Sequence, residues 1–216
     1  MYKTISNKII RTFNPCYDPS KYITDENEEL PIKDWVEKYR SIVPAKDIIW
    51  LLSRKEFLSE KDLILFVVWC AREALKLIEN PDKRSVEACD VAEKYANGEA
   101  TKKELDAAYI AANDIADAAY LAANDAYYAA SVSDDVYVTY YAASTTLAAY
   151  YAVRDAAYAT RDVSYSVYAT RAVSYAARVA YFAFFAANDI VYPDAADAVY
   201  NATRSVQLDK LLTYFE

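Results

Sequence analysis

Histidine is absent from this chain of 216 residues, and glycine occurs once. The first absence removes the commonest general base and the commonest metal ligand. The second leaves no glycine-rich loop to cradle phosphates, which excludes P-loop and dinucleotide fingerprints. Cysteine is scarce: Cys16, Cys70 and Cys89 are odd in number and have no paired spacing. That predicts reduced thiols and no disulfide framework. Long apolar runs are missing too. The longest uncharged ones, 63–71 and 179–187, are less than half of the ~20 residues a membrane span needs. The opening MYKTISNKIIRTF has no apolar stretch of the secretory kind, so a cytoplasmic, membrane-free protein is expected. Positive charge is in deficit, with 24 basic against 32 acidic side chains and a net charge of −8. This argues against direct binding to nucleic acid or to an anionic membrane. The acidity lies mainly in the second half, where residues 105–216 hold 6 basic and 13 acidic side chains.

What the chain does have is alanine and tyrosine. Residues 105–200 contain 31 alanines and 16 tyrosines, a single proline, and no glycine, glutamate or lysine. Alanine costs least in a helix, and the usual breakers are nearly absent, so the stretch is predicted to be helical almost throughout. It repeats internally: AAYIAANDIAD at 107–117 is followed at an offset of eleven by AAYLAANDAYY at 118–128, and AAND returns at 186–189. A single rod of that length would approach ~140 Å, so breaks are expected at Ser131–Asp135 and around Asn188–Asp194, with a softer one at Ser144–Thr146. Helices near 102–130, 134–160 or longer, up to about 190, and 194–212 follow. Alanines allow close helix approach, and tyrosines fill the remaining space. The fold class is all-α: short N-terminal helices packed on a long Ala/Tyr-rich bundle with eleven-residue repeats. The division is an arm and short-helix region, 1–100, and the repeat bundle, 101–216, as one continuous domain.

The first hundred residues carry the other punctuation. Pro15, Pro19 and Pro31 predict a mostly irregular arm, with a short strand or turn near Lys8–Phe13. Helices are predicted over Ile32–Ile42, from Pro44 onward, over Glu60–Glu79 behind the cap Ser59, and over Ser85–Ala96. Asn97-Gly98 reads as a left-handed helix end. Thr101-x-x-Glu104 reads as a capping box that launches the repeat.

Few residues suggest chemistry. No catalytic set, metal site or cofactor is expected; Asp134-Asp135 reads as a helix cap. Asp106, Asp114, Asp117 and Asp125 recur at an offset of eleven along one side of a helix. They form either a solvated face or a set of carboxylates standing in for phosphates. Four arginines each have an aromatic residue four positions later: Arg154/Tyr158, Arg161/Tyr165, Arg171/Tyr175 and Arg178/Phe182. Such pairs can stack a guanidinium on a ring. In a shared cleft they would suit a phosphorylated nucleotide; otherwise they stabilise helices or bridge to Asp155, Asp162 and acidic neighbours. Tyrosine and arginine also dominate protein–protein hot spots. An exposed cluster of Tyr140, Tyr141, Tyr150 and Tyr151 would therefore mark a partner surface.

The run PAKDIIWLLSR, then LILFVVWCAREAL, then NPDKRSVEACDVAEKYANGEATKKELDAA, followed by an alanine-rich tail, resembles the Imm5-like family of immunity proteins. These are all-helical proteins of bacteria and their phages. The likeness spans roughly residues 44–130 by pattern and the tail by composition; family tails commonly carry histidine where this one has tyrosine. The resemblance implies a non-enzymatic protein that neutralises a protein target by binding it, as an immunity factor or phage anti-defence inhibitor. The competing expectations are a nucleotide-signal sponge, an acidic nucleic-acid mimic and a structural homo-oligomer.

Overall fold

The computed structural model describes residues 1–130, 136–161, 166–187 and 193–215. Their architecture is all-α, with helices packed on one another and one two-stranded clip. Strand β1 (Thr4–Ser6) pairs antiparallel with β2 (Glu29–Pro31), Ile5 facing Leu30. Between them lie α1 (Asn7–Arg11), capped by the Ser6 hydroxyl, and a 3₁₀ turn at Pro19–Lys21. The expected irregular arm is thus an ordered clip, and the strand falls before residue 8. Buried Ile5, Ile10 and Ile23 anchor it, and the Asn7 side chain donates to the Ile23 carbonyl at 2.8 Å. Three-residue strands are too short to show an alternating pattern in sequence.

Helices α2 (Ile32–Tyr39) and α3 (Ala45–Leu52) follow; Pro44 stands just outside the latter as its N-cap. In α4 (Glu60–Leu75) the Ser59 hydroxyl accepts the Asp62 N–H at 3.1 Å. That helix stops four residues before the expected Glu79, and Asn80 takes a positive φ just ahead of Pro81. Helix α5 (Lys83–Ala96) ends at Gly98, φ +79°, where Glu99 N–H donates back to the Lys94 carbonyl at 2.8 Å. This is the six-to-one closure that a left-handed residue permits. Thr101 and Glu104 then exchange the capping-box bonds, Thr101 N–H to Glu104 Oε2 at 2.7 Å and Glu104 N–H to Thr101 Oγ1 at 3.3 Å.

The repeat forms α6 (Lys102–Ala130), α7 (Val136–Arg161), α8 (Ser166–Ala187) and α9 (Pro193–Leu212). The residues proposed as breaks at Ser131–Asp135 and 188–192 lie outside those described, as do Asp162 and Tyr165. At Ser144–Thr146 the helix runs on. Thr145 and Thr146 hydroxyls donate to the carbonyls four residues back, at 2.8 and 3.4 Å, so these capping-type side chains are satisfied inside the helix. The helix ends at Arg161, close to the shorter of the two expected bounds, and the Arg161 carbonyl accepts Lys102 Nζ at 2.6 Å.

Helix α7 is the centre of the molecule, packed most extensively on α8 and α6 and also against α4 and α5. The chain runs antiparallel from one helix to the next. Going down α7, Tyr158 meets Tyr168, Asp155 meets Arg171, Tyr151 meets Tyr175 and Tyr141 meets Phe185 going up α8. Between these rings, Ala149, Ala152, Ala156 and Ala159 of α7 and Ala169, Ala172 and Ala176 of α8 are buried. Small residues bring the axes close, and the rings interlock at the margins. One contiguous hydrophobic cluster runs from Ile5 through α4 to Leu211 and Phe215.

Candidate functional site

The arginines of the repeat are placed on geometry the spacing only partly predicts. Each leans on the ring three residues earlier: Arg154 over Tyr151 at 4.4 Å, Arg161 over Tyr158 at 5.8 Å, Arg171 over Tyr168 at 5.3 Å, and Arg178 over Tyr175 at 5.8 Å. Of the expected later partners, Tyr175 lies 6.0 Å from Arg171. The reason is directional: helical side chains point back toward the N-terminus, so a long guanidinium overlies the preceding turn.

Two of the four converge, but on a carboxylate. Asp155 is 1% exposed; Arg154 Nη2 reaches its Oδ1 at 2.9 Å and Arg171 Nε lies 3.1 Å from its Oδ2. The second contact is an ion pair without hydrogen-bond alignment. Burial pushes the Asp155 carboxyl up from the ordinary aspartate range, against the pull of Arg154 and then Arg171. Arg161 meets Asp106 of α6 at 2.6 Å and stacks on Tyr109 at 4.4 Å. Asp106, one of the four recurring aspartates, therefore serves a cross-helix pair. Arg178 is exposed on α8. Tyr165 lies outside the described residues. Among the described residues, the Arg/Tyr set ties α6, α7 and α8 together.

The tyrosines expected as an exposed cluster divide. Tyr140 is exposed, whereas Tyr141, Tyr150 and Tyr151 are half-buried. Tyr141 stacks on Phe185 at 4.6 Å, and the Tyr150 hydroxyl accepts the Asp82 N–H at 3.2 Å. Packing between antiparallel helices takes up most of their surface.

Large apolar side chains and carboxylates are exposed together on α6. Its last described buried residue is Ala116. Beyond and beside it, Ile110 is 58% exposed, Leu121 63% and Tyr128 71%. Asp114, Asp117 and Asp125 are exposed as well. At ~100° per residue these six side chains fall within an arc of about 80°. They alternate along the axis as Ile110, Asp114, Asp117, Leu121, Asp125, Tyr128. The eleven-residue repeat makes the stripe, setting Leu121 one period after Ile110 and Asp125 one period after Asp114. Tyr120, 49% exposed, flanks it. Sequence spacing located the aspartates; the interleaved apolar residues were missed, although they belong to the same repeat.

The thiols differ sharply. Cys70 and Cys89 are buried and Cys16 is exposed; burial pushes the Cys70 thiol up and takes Cys89 up to about 12. No described helix is long and apolar enough to cross a membrane. No family model, curated protein or solved structure matches this chain.

Proposed function

We propose that the chain is a non-enzymatic binding protein that neutralises a protein target by laying the α6 stripe on it and occluding a basic surface. An immunity factor or a phage anti-defence inhibitor would act this way. The observation that carries this reading is the exposed row of Ile110, Leu121 and Tyr128 interleaved with Asp114, Asp117 and Asp125. Large apolar side chains grouped on an exposed face favour association. Desolvated aromatic and aliphatic anchors would supply affinity, and the carboxylates would steer a cationic partner and reject an acidic one. A second copy of the chain fits less well, because a two-fold contact through the stripe would set aspartates against aspartates.

The competing roles gain less from the geometry. A nucleotide sponge built on Arg154, Arg161 and Arg171 would have to displace Asp155 and Asp106 from them. A nucleic-acid mimic needs evenly spaced carboxylates. Asp114, Asp117 and Asp125 rise by about 4.5 and then 12 Å along the axis, with hydrophobic residues between.

Photo-crosslinking tests the proposal. Benzoylphenylalanine replaces Leu121 in one variant and Val206, 56% exposed on α9, in another, and both are irradiated in host cells. The expected result is a covalent adduct to one basic protein from position 121, lost when Asp117→Lys is added, and none from position 206. Equal adducts from both positions, or none from 121, would overturn it.

A further inference from the structure

Arg204 stands apart from every other arginine in the structure. It is 5% exposed on α9, yet no described carboxylate lies within ion-pair distance of it. Its Nε donates to the Tyr200 hydroxyl at 3.2 Å and its Nη1 to Gln207 Oε1 at 3.3 Å. Both acceptors are neutral. Gln207, 2% exposed, is held in place by donating from Nε2 to the Val173 carbonyl of α8 at 3.0 Å. A buried guanidinium without a counter-charge is costly, and burying one is sustained where an anion completes the pair. Asp47, in the first turn of α3, is the nearby carboxylate: burial raises it while Lys46 and then Arg204 pull it down, but it makes no direct ion pair with Arg204.

The surroundings suit an anion. Arg204 lines a cleft of about 520 Å³ between the turn that starts α3 and the outer side of α9, together with Arg40, Lys46, Asp197 and Tyr200. Three cations face one carboxylate there, in a protein whose net charge is −8. Arg40 also pairs on the outside with Asp209 at 2.7 Å. The first turn of α3, Pro44 to Lys46, forms one wall and has no side-chain cap. Uncapped N–H groups at a helix start favour negative charge. The Arg204 guanidinium presents a planar fork suited to two oxygens of one phosphate, and Lys46 adds a point charge.

We infer that this cleft is a binding site for the phosphate group of a small phosphorylated ligand, with Arg204 as the buried receiver and Lys46 and the start of α3 completing the cradle. The site is independent of the α6 stripe. It is tested on the full chain by isothermal titration with pyrophosphate at constant ionic strength, using chloride as control, and by thermal melting. Wild type should bind pyrophosphate and melt higher in its presence. Lys46→Ala, at an exposed position, should keep its melting temperature and bind several-fold more weakly. Arg204→Gln should lose at least about tenfold in affinity, or 1.4 kcal/mol, and should melt no lower than wild type without ligand, because an uncompensated buried charge has been removed. Absence of pyrophosphate binding to wild type would overturn the site, as would wild-type affinity in Lys46→Ala. A large loss of stability in unliganded Arg204→Gln would make Arg204 a structural residue and refute its role as receiver.

Discussion

Asp155 is the residue on which the helical repeat turns. It pairs with Arg154 on its own helix and with Arg171 across to α8. Removing it strands two guanidinium groups. Arg154 is 18% exposed and Arg171 43%; because Arg171 can turn toward water, the cost of Asp155→Ala should be about 2–3 kcal/mol, below that of a fully enclosed pair. For a chain of this size that lowers the melting temperature by roughly 5–10 °C. A shift under about 1 °C would mean the cluster holds nothing together. The pH dependence has a defined sign. Burial raises the folded-state pKa of Asp155, so the proton-linked component of stability is full below the ordinary aspartate range and is lost as pH rises through the raised value, above which the ionised carboxylate is held by Arg154 and Arg171 against its burial cost. Asp155→Asn should remove that component. The sequence offered Asp155 as a bridge for the repeat arginines but not which of them it would hold. Arg154 and Asp155 are adjacent, but Arg171 joins them only because α7 and α8 run antiparallel in one register. Arg204 was overlooked for a related reason: its ring, Tyr200, precedes it, and its lack of a carboxylate partner exists only once α3 and α9 are packed.

At the scale of elements, local chemistry was well marked in the sequence where side chains bond their own backbone. The Thr101/Glu104 box, the Ser59 cap and the Gly98 helix end all sit where composition places them. The N-terminal clip was not marked, because its order comes from distant contacts. Arg11 gathers Glu26, Asp18 and Ser20 around it. Hydrogen bonds from Arg11 and then Ser20 take the Glu26 carboxyl from 4.5 down to about 2. The Ser20 backbone, the Ser20 hydroxyl and Arg11 lower Asp18. Depressed carboxylates stabilise the fold above their ordinary range and cease to do so as pH falls through their folded values. The clip should therefore loosen between about pH 4.5 and 2. Amide exchange at Thr4–Ser6 and Glu29–Pro31 should rise in that window before the helical circular dichroism of the bundle declines. Loss of helix first, with the clip still protected, would contradict this order.

For the whole molecule, the all-α class was legible because alanine, tyrosine and an eleven-residue period leave little alternative. The division of labour among those residues was not. The same repeat supplies a buried alanine seam, a ladder of rings and arginines between helices, and an exposed row of Ile110, Leu121, Tyr128 and aspartates on α6. Which copy of the motif turns inward depends on tertiary packing, and α6 keeps an outer face with three large apolar groups beside exposed carboxylates. The most direct test is native mass spectrometry of wild type and Leu121→Arg, each recovered gently from host lysate. Wild type should carry one basic protein at fixed stoichiometry, and Leu121→Arg should emerge without it while remaining folded. A wild-type chain with no protein partner, or a partner that Leu121→Arg retains in full, would contradict the account.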